Sequence, residues 1–115
     1  EAAAVGGDAV EDDLPIFFAQ LGEQARRRAL SLIEDLRRAG MYVRHNLAKS
    51  SLKTQLELAN KHAVTHALIL GQKEVQDGTI IVRDMESGNQ EIIDQKKLKQ
   101  EVRKLLQQDD KTIDR

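Results

Sequence analysis

At 115 residues the chain supplies one domain with a single hydrophobic core and is too short for a two-lobed enzyme with a cleft between its lobes. Its 40% hydrophobic and 32% charged content excludes the disordered and membrane classes, and no apolar run nears the roughly twenty residues that span a bilayer. No signal-type segment opens it and it has no cysteine, which points to the cytoplasm and excludes disulfides, thiolate nucleophiles and cysteine-bound metals.

The formal charge of -1 conceals an uneven distribution. Residues 1–13, "EAAAVGGDAVEDD", hold five acids and no base and read as a flexible arm or linker, while 109–115, "DDKTIDR", form a polar tail. The intervening domain, 14–108, has 16 bases against 11 acids, a mild bias towards polyanions.

"LPIFFA" (14–19) is a continuous apolar run of the kind a strand buried on both faces requires. The period then changes: Ala25, Ala29, Leu32, Ile33 and Leu36 line one face of a helix that Gly40 stops. "MYVRH" (41–45) reads as a second strand, and Ser50 or Ser51 caps a helix whose stripe is Leu52, Leu56, Ala59 and Ala63. "THALIL" (65–70) is the third strand. After Gly71, "GTIIVRD" and "QEIID" flank the turn-rich "MESGN" and predict an antiparallel hairpin. Asp94 caps a last helix to about Gln108, with Leu98, Val102, Leu105 and Leu106 inward. The pattern predicts an α/β fold: a five-stranded mixed sheet, three strands parallel plus a C-terminal antiparallel hairpin, flanked by three helices.

Catalytic constellations are lacking. Neither G-x-G-x-x-G nor G-x-x-x-x-G-K-[ST] is present, and the single glycine of "AQLGEQ" reads as a tight turn. His62 and His66 are four apart but straddle a helix-to-strand change with no completing ligand, so no metal site is expected. His45 with Ser50 or Ser51 has no nucleophile elbow, and no catalytic residue is expected. The arginines of "RRR" (26–28) spread over about 200° of helix and read, with Arg37 and Arg38, as a solvated surface. Three aromatics, Phe17, Phe18 and Tyr42, do not make a base-stacking platform.

The hairpin segment Gly71–Ile93 carries Glu74 at its entrance and Arg83 near the end of its first strand, both placed by the reading beside ends of parallel strands, where α/β folds bind ligands. Their spacing leaves two readings open. One is a cross-strand ion pair or two solvated side chains. The other is readout of unpaired bases, the carboxylate accepting from guanine N–H groups and the guanidinium donating to base acceptors.

The long helix ending in "LRRAG", the following strand, the basic "KSSLKTQLELANK" and "ILGQKEVQDGTIIVRD" together resemble the C-terminal anticodon-binding domain of class II aminoacyl-tRNA synthetases over about residues 14–108. The segment from "AKSSLKT" to "IIVRD" looks most like histidyl-tRNA synthetase. The threonyl, prolyl and glycyl enzymes share "G-x-K-E-V-x-x-G" but differ where "KSSLKTQLELANK" stands. The resemblance implies an anticodon-binding fold, tRNA rather than DNA or membrane as partner, and base contacts from Glu74 and Arg83. It places a further contact at Lys49, where the residue type departs from the family's. By their place in the sequence Lys49, Lys53 and Arg44 are expected together near the carboxyl end of the second strand and the start of the following helix, making mostly phosphate contacts. Class II catalytic motifs are missing, so this chain is expected to be non-catalytic and cofactor-free. ATP, Mg2+ and homodimer formation would belong to a full-length enzyme, and the fragment is expected to be monomeric. The resemblance leaves a regulatory histidyl-synthetase-like module, or the anticodon-binding domain of a related class II synthetase (threonyl, prolyl or glycyl), as alternatives, and the α/β alternation leaves a small flavodoxin-like nucleotide binder.

Overall fold

The computed structural model describes residues 14–46 and 51–114. In chain order they form β1 (Ile16–Gln20), α1 (Glu23–Arg38), β2 (Arg44–His45), α2 (Leu52–Lys61), β3 (His66–Leu70), α3 (Gln72–Asp77), β4 (Thr79–Asp84) and β5 (Gln90–Asp94). A 3-10 turn (Gln95–Lys97) then leads into α4 (Leu98–Asp114). The sheet order is β2-β1-β3-β4-β5, with β1 parallel to β2 and β3, and β4 antiparallel to β3 and β5. The expected five-stranded mixed sheet with its C-terminal hairpin is the one that forms.

Alternation along the strands divides the core in two. On one face Ile16, Phe18, Leu68, Leu70, Ile80 and Val82 pack under α1 and α4. On the other Phe17, Ala19 and Ile69 pack under Ala59 of α2 and Val64. All five residues of β1 are buried because both faces of this strand are covered, which is why its sequence is apolar without alternation. The α1 stripe is buried as expected, with Ile33 at its margin. Gly40, at φ 84, ends α1 in a Schellman motif: its N–H donates to the Arg37 carbonyl at 2.9 Å, and Met41 N–H donates to that of Leu36 at 2.9 Å.

Four local features differ from the sequence reading. A fourth helix, α3, occupies the hairpin's entrance. Its six residues bring only Val75 to the core, too few for a helical period, but Glu74 at N3 and left-handed Gly78 close its two ends. The second strand shrinks to Arg44–His45, while Met41 and Val43 are held by buried side chains rather than by pairing. Helix α2 stops at Lys61, so exposed Ala63 lies beyond it at φ 54, and Val64 supplies the packing expected of Ala63. Helix α4 continues to Asp114, across most of the expected tail, since no glycine or proline follows Gln108 to end it.

Where β2 ends, a side chain replaces it. The Gln55 amide takes both backbone groups of Gln20, accepting from its N–H at 2.9 Å and donating to its carbonyl at 2.7 Å. Helix α2 is thereby fixed to the end of β1 by a buried residue that imitates a strand.

Candidate nucleic-acid interface

The ten residues of α2 cover only part of their face of the sheet. Beyond it the same face continues over β4 and β5, where cross-strand neighbours form rows: Arg83 with Gln90, Ile81 with Ile92, and Thr79 with Asp94. Ile92 is 67% exposed and Ile81 half-buried, so an apolar strip borders a guanidinium and an amide. Such a surface suits a flat ring packed on aliphatic carbon with polar groups at its rim. Gln90 and Ile92 had no signal in the sequence, because their exposure depends on which strands α2 reaches.

Arg83 is anchored without being neutralised. Its Nη1 donates to Gln90 Oε1 at 3.0 Å, while its buried Nε has no hydrogen-bond partner. No ion pair joins it to Glu74. In register it stands opposite Ala67, near the start of β3, so it is not at the carboxyl end of the parallel strands, contrary to the sequence reading. The antiparallel course of β4 carries it to the other end of the sheet.

Glu74 does lie just past the carboxyl end of β3, on α3 rather than on the hairpin. Its Oε1 accepts from Gly71 N–H at 2.8 Å, capping α3, and its second oxygen has no hydrogen-bond partner among the described residues. The backbone beneath is pinned by Gln95, whose Nε2 donates to the carbonyls of Glu74 (3.2 Å) and Thr79 (2.9 Å) and whose Oε1 accepts from Arg28 Nε at 2.8 Å. Gly71 is four residues beyond Ala67, so Glu74 and Arg83 are separated by about 13 Å along the sheet. They cannot grip one base together, but each can meet a different base of an extended loop.

The basic residues divide differently from expectation. Lys53 is exposed in the first turn of α2, where its charge adds to the positive helix end. Arg44 is not beside it: the Arg44 Nη2 lies 3.1 Å from His62 Nδ1, at the opposite end of α2 and about 14 Å from Lys53 along the axis. Arg44 points this way because it shares with Phe17 the sheet face that α2 covers. Lys49 lies outside the described residues. His62 and His66 are engaged separately, His66 Nδ1 lying 2.9 Å from Thr65 Oγ1, and no group of metal-ligating side chains occurs among the described residues. The α1 arginines Arg26, Arg27, Arg37 and Arg38 pair with Glu23, Glu34 and Asp35 on their own helix, as a solvated surface should.

The hairpin tip that leads from Arg83 back to Gln90 is set by Asp84. Its Oδ1 accepts from the N–H groups of Glu86 (2.9 Å) and Ser87 (3.2 Å). The Ser87 and Glu86 bonds, with a smaller contribution from His66, lower its carboxyl below the ordinary 3.8. A lowered folded value contributes stability above the ordinary value that is lost as pH falls through the lowered one. The 86–87 amides should therefore gain hydrogen-exchange rate below about pH 3.8 in the wild type, and Asp84→Asn should remove that acid dependence. An unchanged acid profile in the variant would show that Asp84 does not hold the tip.

The profile of the family described as "Anticodon binding domain" matches residues 16–105. Among curated proteins the chain is 40% identical over 80 residues to histidine–tRNA ligase of Desulfosudis oleivorans, covering 70% of this chain and 19% of that protein. It is 33% identical over 89 residues to the ligase of Staphylococcus carnosus, covering 76% and 21%. The chain thus spans about a fifth of the length of these relatives. Solved structures share the fold. Apo histidyl-tRNA synthetase of S. aureus superposes with TM-score 0.72 at 24% identity, covering 88% of this chain and 31% of that one. The RNA binding domain of threonyl-tRNA synthetase from Cryptosporidium parvum gives 0.72 at 16% identity, covering 79% and 23%. With the family profile spanning the whole sheet and all four helices but the end of α4, the chain belongs to the anticodon-binding domain family of class II aminoacyl-tRNA synthetases and is histidyl-tRNA synthetase-like within it.

Proposed function

We propose that the domain receives the anticodon loop of histidine tRNA within a cytoplasmic histidine–tRNA ligase. The activation of histidine with ATP and Mg2+, and dimer formation, would belong to a catalytic domain elsewhere in that enzyme. The observation that carries the reading is the open half of the sheet, where Ile81 and Ile92 adjoin Arg83 and Gln90 in a domain whose family is named for anticodon binding. Unpaired bases need apolar area for their faces and polar groups for their edges, and this surface offers both without an aromatic residue. Arg83 and Glu74 would read separate bases. Lys53 and Lys49 would hold phosphates at one end of α2, and Arg44 different nucleotides at the other.

The test is a fluorescence titration of the histidine anticodon stem-loop, and of the same stem with another loop, against wild type and Ile92→Ser. Wild type should prefer the histidine loop. Ile92→Ser should weaken its binding by about 1 kcal/mol, near fivefold, through lost apolar contact, and leave folding stability within about 0.5 kcal/mol because the side chain is already exposed. Equal affinity of wild type for both loops, or an Ile92→Ser variant that binds like wild type, would remove the open face as the anticodon site.

A further inference from the structure

The opposite surface of the domain is more basic than the open sheet face. Lys96 and Lys97 in the 3-10 turn and Lys99, Arg103 and Lys104 on α4 are all exposed, five cations within nine residues. At 100° per residue Lys99, Arg103 and Lys104 fall within about 140° of arc, away from buried Leu98, Val102 and Leu105. The contrast with α1 is informative. There each of four arginines has a carboxylate on its own helix, whereas among the described residues none of these five cations lies within salt-bridge distance of an acid. Glu101 stands at the edge of the stripe, half-buried and without an ion pair among the described residues.

A cleft of about 240 Å³ adjoins the stripe between α1 and α4. Arg28, Lys96 and Lys99 contribute three positive charges to its lining and Asp35 the only negative one, with Leu32 and Leu98 among the floor residues. Arg28 is held in place by its bond to Gln95. A concave, cation-lined site beside a run of exposed lysines matches a chain of phosphates rather than a single small anion. Five charges over about 12 Å of helix axis also approach the ~3.4 Å charge spacing along one nucleic-acid strand.

We propose that the α1–α4 cleft and the stripe of Lys96, Lys97, Lys99, Arg103 and Lys104 form a second RNA contact, binding phosphates of the tRNA backbone outside the anticodon. The contact is sequence-independent: it supplies affinity and orientation while the open sheet face supplies choice. It rests on the reading that this domain binds RNA. The competing occupant is the acidic arm, residues 1–13, whose five carboxylates are complementary to the same stripe.

The experiment compares wild type with a variant carrying Lys96→Gln, Lys99→Gln, Arg103→Gln and Lys104→Gln, and with a control carrying Arg27→Gln, Arg37→Gln and Arg38→Gln. All the replaced side chains are exposed, so thermal melts should be unchanged. Each protein is titrated with the histidine anticodon stem-loop and with the other-loop RNA over a range of salt. The α4 variant should lose tenfold or more in affinity for both RNAs equally, with its salt slope reduced by about two to three. The α1 control should keep most of the wild-type affinity and slope. Wild-type affinity and slope in the α4 variant, or equal losses in the control, would overturn the proposal and leave the loop preference of the sheet face standing. Failure of wild type to bind either RNA would remove both readings. In a last arm, Asp8→Asn, Glu11→Gln, Asp12→Asn and Asp13→Asn are introduced together. Raised RNA affinity in the wild-type background but not in the α4 variant would show the arm and RNA competing for the stripe, and support the RNA assignment; an equal rise in both backgrounds would show that the RNA the arm repels lies elsewhere, and overturn it. No change in either background supports it.

Discussion

Gln55→Met should destabilise the domain by about 2–4 kcal/mol although it alters no charge and little volume. The Gln55 side chain is fully buried and satisfies both the N–H and the carbonyl of Gln20, which is itself 4% exposed. Methionine keeps the length and much of the packing but can neither donate nor accept strongly, so both groups would be left buried and unpaired at about 1–3 kcal/mol each. Gln55→Glu restores the acceptor alone and places a carboxylate against the Gln20 carbonyl, so it should do no better. Guanidinium unfolding would show the loss as a lower midpoint at unchanged slope, and a melt would show a fall of roughly 10 °C. A change under about 0.5 kcal/mol would mean that water reaches the end of β1 and that Gln55 does not act as the missing strand residue.

That position shows how far a periodic pattern reads. Leu52, Leu56 and Ala59 announced the buried stripe of α2, and β1, β3, the hairpin and α4 were legible in the same way because each commits a recurring face to the core. Gln55 lies on that stripe, so a glutamine among apolar positions was the available sign, but its partner depended on β2 ending two residues after it began. Helix α3 was missed for the converse reason. It is held by the Glu74 cap and by Gln95, a residue 21 positions away, and hardly by periodic burial.

The site was legible in parts. Glu74 and Arg83 were singled out by spacing and resemblance; Glu74 spends one carboxylate oxygen on Gly71 N–H, and the Arg83 guanidinium donates to the neutral Gln90 amide and keeps its charge. Their relation was not legible, because the eight intervening residues pass through a helix and an antiparallel strand that carry them to opposite ends of the sheet. Arg44 and Lys53 were separated by the same kind of fact: a long side chain reaches the far end of α2. Gln90 and Ile92 became candidates only once the extent of α2 showed which half of the sheet was open.

Arg83→Ala and Glu74→Gln should each remove choice between loops rather than attraction to RNA. The two residues have different amounts of structure to lose. Arg83 gives up its bond to Gln90, an exposed pair of little consequence for folding. Glu74→Gln keeps an oxygen for Gly71 N–H, so α3 stays capped while the second oxygen becomes an amide donor. Glu74→Ala would confuse the two roles, and for that reason glutamine is the informative replacement. A guanine N–H that met a carboxylate acceptor then meets an N–H, and a base acceptor that met a guanidinium meets nothing. By comparison with bidentate base contacts in duplexes, each change should cost about 1–3 kcal/mol against the histidine loop, and noncognate loops, which lack those pairings, should lose much less. Because the two residues are about 13 Å apart and contact separate bases, the double variant should lose nearly the sum of the single losses. Equal losses for both loops, or none for either, would return Glu74 to a helix cap and Arg83 to a strand arginine. A double variant no weaker than the worse single would place both on one base, which their separation in the sheet forbids.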